Sequence, residues 1–154
     1  MFEGFRAKLK AAYMEKVKQK CIFCSIIREE DEKIVYRNEE IAVFPTLESD
    51  ALKEGHLLVV PVEHYENIFE MDREEVETFF GEIKEIADSI KEKTSYTGVN
   101  MLSANGGAAQ QSVKHVHTHI VLREDEDGYD LWPETGYGGE SFEEVNGELS
   151  SLLN

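Results

Sequence analysis

Long apolar runs, basic side chains, cysteines and histidines are all scarce in this 154-residue chain. No stretch approaches the roughly 20 apolar residues of a membrane span. The first 20 residues also lack the apolar core and cleavage pattern of a secretory leader. The expectation is a cytoplasmic protein. Lys and Arg number 16 against 32 Asp and Glu, a net charge of −16. So acidic a surface repels polyphosphate backbones and anionic bilayers, which argues against nucleic acid and membrane as partners. There are two cysteines, Cys21 and Cys24. They are too close for a useful disulfide staple, and a Cys-x-x-Cys pair reads instead as half a zinc site or a redox pair. No internal repeat or low-complexity segment is present.

The length suits one domain with a sizeable core. Residues 1–20 are the exception to the acidity, with six basic and two acidic side chains. Phe2, Phe5, Leu9, Ala12, Tyr13 and Val17 fall at helical spacing there, which predicts an amphipathic helical extension. The remainder, 21–154, reads as a single domain, with a core at 21–122 and a tail at 123–154. Short β-type runs are predicted at Ile34–Tyr36, Ile41–Phe44, Leu57–Val60, Val99–Ser103 and Val113–Leu122. Asp72 and Glu75 resemble a capping box. An apolar stripe follows from Val76 to Ile90, predicting a helix over about 72–93. A loop at 123–139 precedes a short C-terminal helix, with Ser141 and Glu144 as a second possible capping box. Five short strands around one long helix predict an α+β fold, an antiparallel sheet with the helix on one face.

Histidine occurs five times, at 56, 64, 115, 117 and 119. Three fall in the row His115-Val116-His117-Thr118-His119. On a strand, alternate side chains share a face at about 7 Å spacing, so all three imidazoles would project together. A solvated face would ordinarily carry Lys, Glu or Thr. Two chemistries fit the row: metal binding, or phosphoryl transfer with one histidine as nucleophile and another as acid. The preceding loop favours the second. Asn105, Gln111 and Ser112 offer neutral donors, and Gly106 and Gly107 let backbone amides approach an anion.

These segments resemble the histidine triad (HIT) family of nucleotide hydrolases and transferases. His115 to Val121 matches the alternating triad motif, with Thr118 less apolar than usual. Gln111-Ser112-Val113-Lys114-His115, Gly55-His56-Leu57-Leu58-Val59-Val60-Pro61-Val62-Glu63-His64 and Cys21-Ile22-Phe23-Cys24-Ser25-Ile26-Ile27 are similar to three further family motifs. All arrive in the family's order across residues 21–122, and the combination is far more specific than any one motif.

The resemblance implies a HIT-like five-stranded antiparallel sheet with one long helix, and a zinc-containing Hint-like branch. It implies cleavage at the α-phosphorus of purine nucleoside phosphoramidates or related AMP derivatives. His117 would be the nucleophile and form a nucleotidyl-histidine. His119 would contact the phosphate or leaving group, Ser112 would donate to it, and Asn105 and Gln111 would line the same pocket. His56 would stand behind the triad. Cys21, Cys24, His64 and His115 would hold a structural zinc, and no catalytic metal is implied. A homodimer is implied, with 99–103 and the long helix near its interface. The alternatives are a dinucleoside polyphosphate hydrolase or nucleotidyl transferase of the same family, a low-turnover nucleotide-binding regulatory module, and an unrelated enzyme using the three triad histidines as catalytic zinc ligands. Thr46 stands where relatives often have a ribose-binding Asp, and Glu48 or Asp50 could substitute. The stretch from Phe44 to His56 is about two residues longer than usual, and Gln110 replaces a common Gly. Trp132 is expected to pack on the sheet.

Overall fold

The computed structural model describes residues 15–29, 32–46, 51–131 and 142–153. The expectations placed on Phe2 to Tyr13, Glu48, Asp50, Trp132 and Ser141 lie outside them. Residues 15–20 are helical. The elements that follow are α1 (Ile22–Glu29), β1 (Tyr36–Arg37), β2 (Ile41–Pro45), β3 (Leu57–Pro61), α2 (Arg73–Lys93), β4 (Gly98–Leu102), β5 (Thr118–Arg123) and α3 (Phe142–Leu153). The strands form one antiparallel sheet in the order β1-β2-β3-β5-β4.

Local sequence explains most boundaries. Asn38 turns the chain between β1 and β2: its Oδ1 accepts from the amides of Glu40 at 2.9 Å and Ile41 at 2.8 Å, the Asx geometry that makes Asn a turn residue. Asp72 caps α2, and the reciprocal bonds with Glu75 complete the capping box. Two donors that a helix start leaves unpaired are thereby satisfied. Gly55 has φ +80°, and a Cβ there would stand 3.0 Å from Leu122 Cδ1. Both the backbone and the close packing demand glycine.

Both faces of the sheet are covered. On one, Ile41, Val43, Val59, Val116, Ile120 and Leu122 pack with Phe79 and Ile83 of α2. Burying those two helix residues contributes about 3–6 kcal/mol. On the other, Ala42, Phe44, Leu58 and Val60 lie under Cys21 and the Phe23, Cys24 and Ile27 of α1. β2 and β3 are therefore buried almost throughout. This is why their sequences read as continuous apolar runs, not alternations.

Two elements differ from the pattern reading. No element was expected at 22–29, where α1 forms. Its two turns are too short for helical periodicity to stand out from the cysteine motif. The last strand begins at Thr118, not at Val113. The amide of His115 bonds the Val113 carbonyl at 2.8 Å, and that of Val116 bonds Tyr65 O at 2.7 Å. Those donors leave the ladder, and pairing with β3 starts only at Val59–Thr118. The diversion turns the beginning of the histidine row away from a regular strand.

Candidate functional site

The histidine row divides into two groups. His115 belongs to the first, with Cys21, Cys24 and His64. All four are buried, and their ligand atoms lie within 4.8 Å of one another. Cys24 Sγ is 3.2 Å from His64 Nδ1, and His115 Nδ1 is 3.5 Å from both sulfurs. A tetrahedral ion of zinc's size, with bonds near 2.3 Å to sulfur and 2.0–2.1 Å to nitrogen, requires N···S edges of about 3.5 Å. The tautomer also fits. His115 Nε2 is 3.0 Å from Pro61 O, and a carbonyl accepts only from N–H. The Nδ1 lone pair therefore faces the thiols. A second partner of this kind orients a metal ligand. The hydrogen bond from Cys24 holds the Cys21 thiol far below its ordinary range, against the pull of burial and with His115 and His64 adding to it. The same contact pushes the Cys24 thiol up. The pair gives up its first proton readily, as metal binding by thiolate needs. The two Cys and two His form a closed set that could hold a metal ion, and an ion there would supply a structural cross-link with no open position.

Phe23 separates this group from the second. Its ring centroid is 6.0 Å from that of His115 and 5.3 Å from that of His117. The second group is His117, His119 and His56. The His117 and His119 centroids are 5.1 Å apart, and those of His119 and His56 are 5.0 Å apart.

Hydrogen bonds assign the protons. His117 Nδ1 is 2.7 Å from the His115 carbonyl, so Nδ1 carries the hydrogen and Nε2 keeps its lone pair. The Leu52 amide donates to His56 Nδ1 at 3.0 Å. His56 must then carry its hydrogen on Nε2, which lies 2.8 Å from His119 Nδ1. His119 accepts there, and its own hydrogen sits on Nε2. Burial lowers the pKa of His117, countered by the bond to the His115 carbonyl. Burial, with His117 and His56 nearby, brings His119 down to about 4. Burial alone lowers His56. At neutral pH the trio presents a free imidazole nitrogen on His117 and an N–H donor on His119, the pairing that nucleophilic attack with leaving-group assistance needs.

Leu52, His56, Leu102, Ser103, Gln110 and His119 help line a cleft of about 360 Å³. Another cleft of about 360 Å³, where the β1–β2 turn meets the start of α2, is lined by Glu39, Glu40, Glu63, Glu74 and Glu75. Its carboxylates would repel a phosphate ester, so of these two clefts the histidine one suits an anionic ligand better.

The remaining expected residues are placed differently. Gln111 Nε2 donates to Glu66 O at 2.6 Å and Val113 O at 2.9 Å, and its Oε1 accepts from the Gly106 amide at 2.8 Å. Its amide shapes the loop instead of facing the cleft. Asn105 Oδ1 accepts from the Ile68 amide at 2.8 Å, and its Nδ2 donates to Ser103 Oγ at 3.2 Å. Ser103 in turn donates to His117 O at 3.0 Å. Asn105 thus supports the backbone of the central histidine. Ser112 opens on a neighbouring cavity of about 410 Å³ with Lys20, Cys21 and Lys114. Ser103 and the Leu52 amide are contributors that the sequence reading does not single out. Backbone amides leave no signature in a sequence, and Ser103 reads as the end of a strand.

Residues 27–126 match the profile of the HIT domain, and the chain belongs to the HIT family. It is 40% identical over 109 residues to an uncharacterized HIT-like protein of Methanocaldococcus jannaschii, covering 70% of this chain and 82% of that one. It is 31% identical to an adenosine 5′-monophosphoramidase of Schizosaccharomyces pombe, covering 86% of this chain and 98% of that one. Among solved structures, a HIT-family protein of Bacillus subtilis superposes with a TM-score of 0.71 at 33% identity, over 86% of this chain and 94% of that one. A zinc-bound histidine triad protein of Mycobacterium smegmatis superposes with a TM-score of 0.66 at 25% identity, over 77% and 86%. The α+β architecture is that of the family. No helix among the described residues is long and apolar enough to cross a membrane.

Proposed function

We propose that this protein is a nucleotide hydrolase that cleaves the α-phosphorus bond of purine nucleoside phosphoramidates or related AMP derivatives. The observation that carries this reading is the tautomer of His117, whose Nδ1–H is held by its own chain at the His115 carbonyl. Its Nε2 lone pair attacks phosphorus, and the P–N bond to the leaving amine breaks. The amine departs with a proton delivered at His119 Nε2. Water then attacks the nucleotidyl-histidine: its hydroxide joins phosphorus as the bond to His117 breaks, its other proton returns to His119 Nε2, and AMP leaves. The phosphoramidase activity of the fission yeast relative supports the substrate class. We infer zinc as the ion for Cys21, Cys24, His64 and His115, supported by the donor set and the zinc-bound mycobacterial relative. A homodimer joined near β4 and α2 is supported by the edge position of β4 and by half-exposed Met101 and Phe80.

The test is phosphorus NMR of the protein with adenosine 5′-phosphoramidate, beside His117→Ala. AMP release by the wild type alone is expected. Release by both proteins would remove His117 as nucleophile, and release by neither would remove the phosphoramidate reading.

A further inference from the structure

The proton pattern of the trio starts at one backbone amide, that of Leu52, in an otherwise exposed segment. What holds that segment is the next side chain. Lys53 Nζ donates to Leu122 O at 3.3 Å, lies 3.5 Å from Asp127 Oδ2, and stands 5.7 Å from the centroid of the Tyr96 ring. The Lys53 and Asp127 side chains are 20% and 6% exposed, so this pair is shielded from the solvent that weakens surface ion pairs.

Asp127 is itself locked in place. Arg123 Nε and Nη2 each reach one of its carboxylate oxygens at 2.7 Å. Arg123 Nη1 donates to Asn100 Oδ1 at 2.7 Å, and Nη2 also donates to Tyr129 O. The Tyr129 amide returns to Asp127 Oδ1 at 3.0 Å. The turn that brings Asp127 back places Glu126 at φ +61° beside Gly128 at φ +71°. A non-glycine residue in that region costs energy and persists where the surroundings over-determine it. The chain beyond β5 is thus bent under strain so that one carboxylate meets one arginine and one lysine.

We propose that the Lys53–Asp127–Arg123 knot is a positioning device for the histidine trio. It fixes the 51–56 segment so that the Leu52 amide stays on His56 Nδ1. His56 then donates from Nε2, and His119 keeps its hydrogen on the nitrogen facing the cleft. The Lys53 and Asp127 side chains make no hydrogen bond to a histidine ring; the Lys53 carbonyl accepts from the His56 amide at 3.2 Å, so the knot acts through this segment. The proposal rests on the reading of His119 as the donor to the leaving group, but its direct consequence is a property of the free protein.

Nitrogen-15 NMR of the histidine rings in the full, metal-loaded chain tests it. In the wild type, His56 and His119 each show one protonated Nε2 and one bare Nδ1. In Lys53→Met, which keeps the stem near Tyr96, and in Asp127→Asn, the two nitrogen resonances of His56 and of His119 are expected to move toward each other as tautomers mix. His64 and His115 hold their positions. Lys53→Arg restores the wild-type pattern. Turnover of adenosine 5′-phosphoramidate by Lys53→Met falls about tenfold in kcat with KM unchanged. Ring spectra of His56 and His119 that match the wild type in a folded variant, either Lys53→Met or Asp127→Asn, would overturn the proposal. A wild type that releases no AMP would sink the assigned reaction, while the ring spectra would still decide the role of the knot.

Discussion

His115 and His117 stand two residues apart, carry the same side chain, and serve opposite ends. The group around His115 is closed: two thiols and two imidazoles converge, all buried. The group around His117 borders a cleft, and its rings meet other rings and backbone. In both histidines a backbone carbonyl sets the tautomer, but it holds opposite nitrogens. Pro61 O engages Nε2 of His115, whereas His115 O engages Nδ1 of His117. In the proposed function, metal ligand and nucleophile are distinguished by which nitrogen the main chain takes.

The largest test of that division is His117→Ala. AMP release from the phosphoramidate should fall by at least about a thousandfold, as for loss of a nucleophile elsewhere. Metal content by elemental analysis should stay near wild type. Equal loss of metal would mean that the two groups are one. Removing the partner of the nucleophile, by His119→Ala, should lower kcat about a hundredfold. A steady-state measurement that shows KM moving and kcat holding would assign His119 to ground-state binding instead.

Cys24→Ala addresses the other group. It should abolish stoichiometric zinc and cost about 2–4 kcal/mol, a drop of roughly 5–15 °C in Tm by calorimetry. Unchanged Tm with full metal content would reject the closed site.

The smallest effect is in pH. His119 has a folded pKa of about 4, below the ordinary value near 6.5. Its contribution to stability is complete above about pH 6.5 and is lost as pH falls toward 4. Melting temperatures of the wild type should therefore decline over that window more steeply than those of His119→Gln. Parallel curves would show that His119 is not buried neutral.

Much of this was legible in the residues. The capping box at Asp72, the turn at Asn38 and the apolar runs of β2 and β3 carry their reasons locally. The convergence of Cys21, Cys24, His64 and His115 is implied by the resemblance to zinc-containing relatives alone, because nothing local joins residues that far apart. The truncated start of β5 was illegible, since it depends on Tyr65 O capturing an amide that periodicity assigns to the ladder. Gln111 read as a phosphate donor because its type and place allow it, and only three-dimensional contacts reveal three backbone partners. The proton assignments of the trio rest on main-chain groups, which every residue possesses and no sequence displays.

The spacing of the four proposed ligands has a consequence for how the chain folds. Cys24 lies 40 residues from His64 and 91 from His115. An ion held by all three would close two long loops, and closure of loops of this size removes a few kcal/mol of freedom from the unfolded chain. The ring would behave as a tie across the chain that opens when metal is withdrawn and ignores reductants. Such distant partners meet late in folding, so refolding after chelation should recover α2 first and the seat of α1 last.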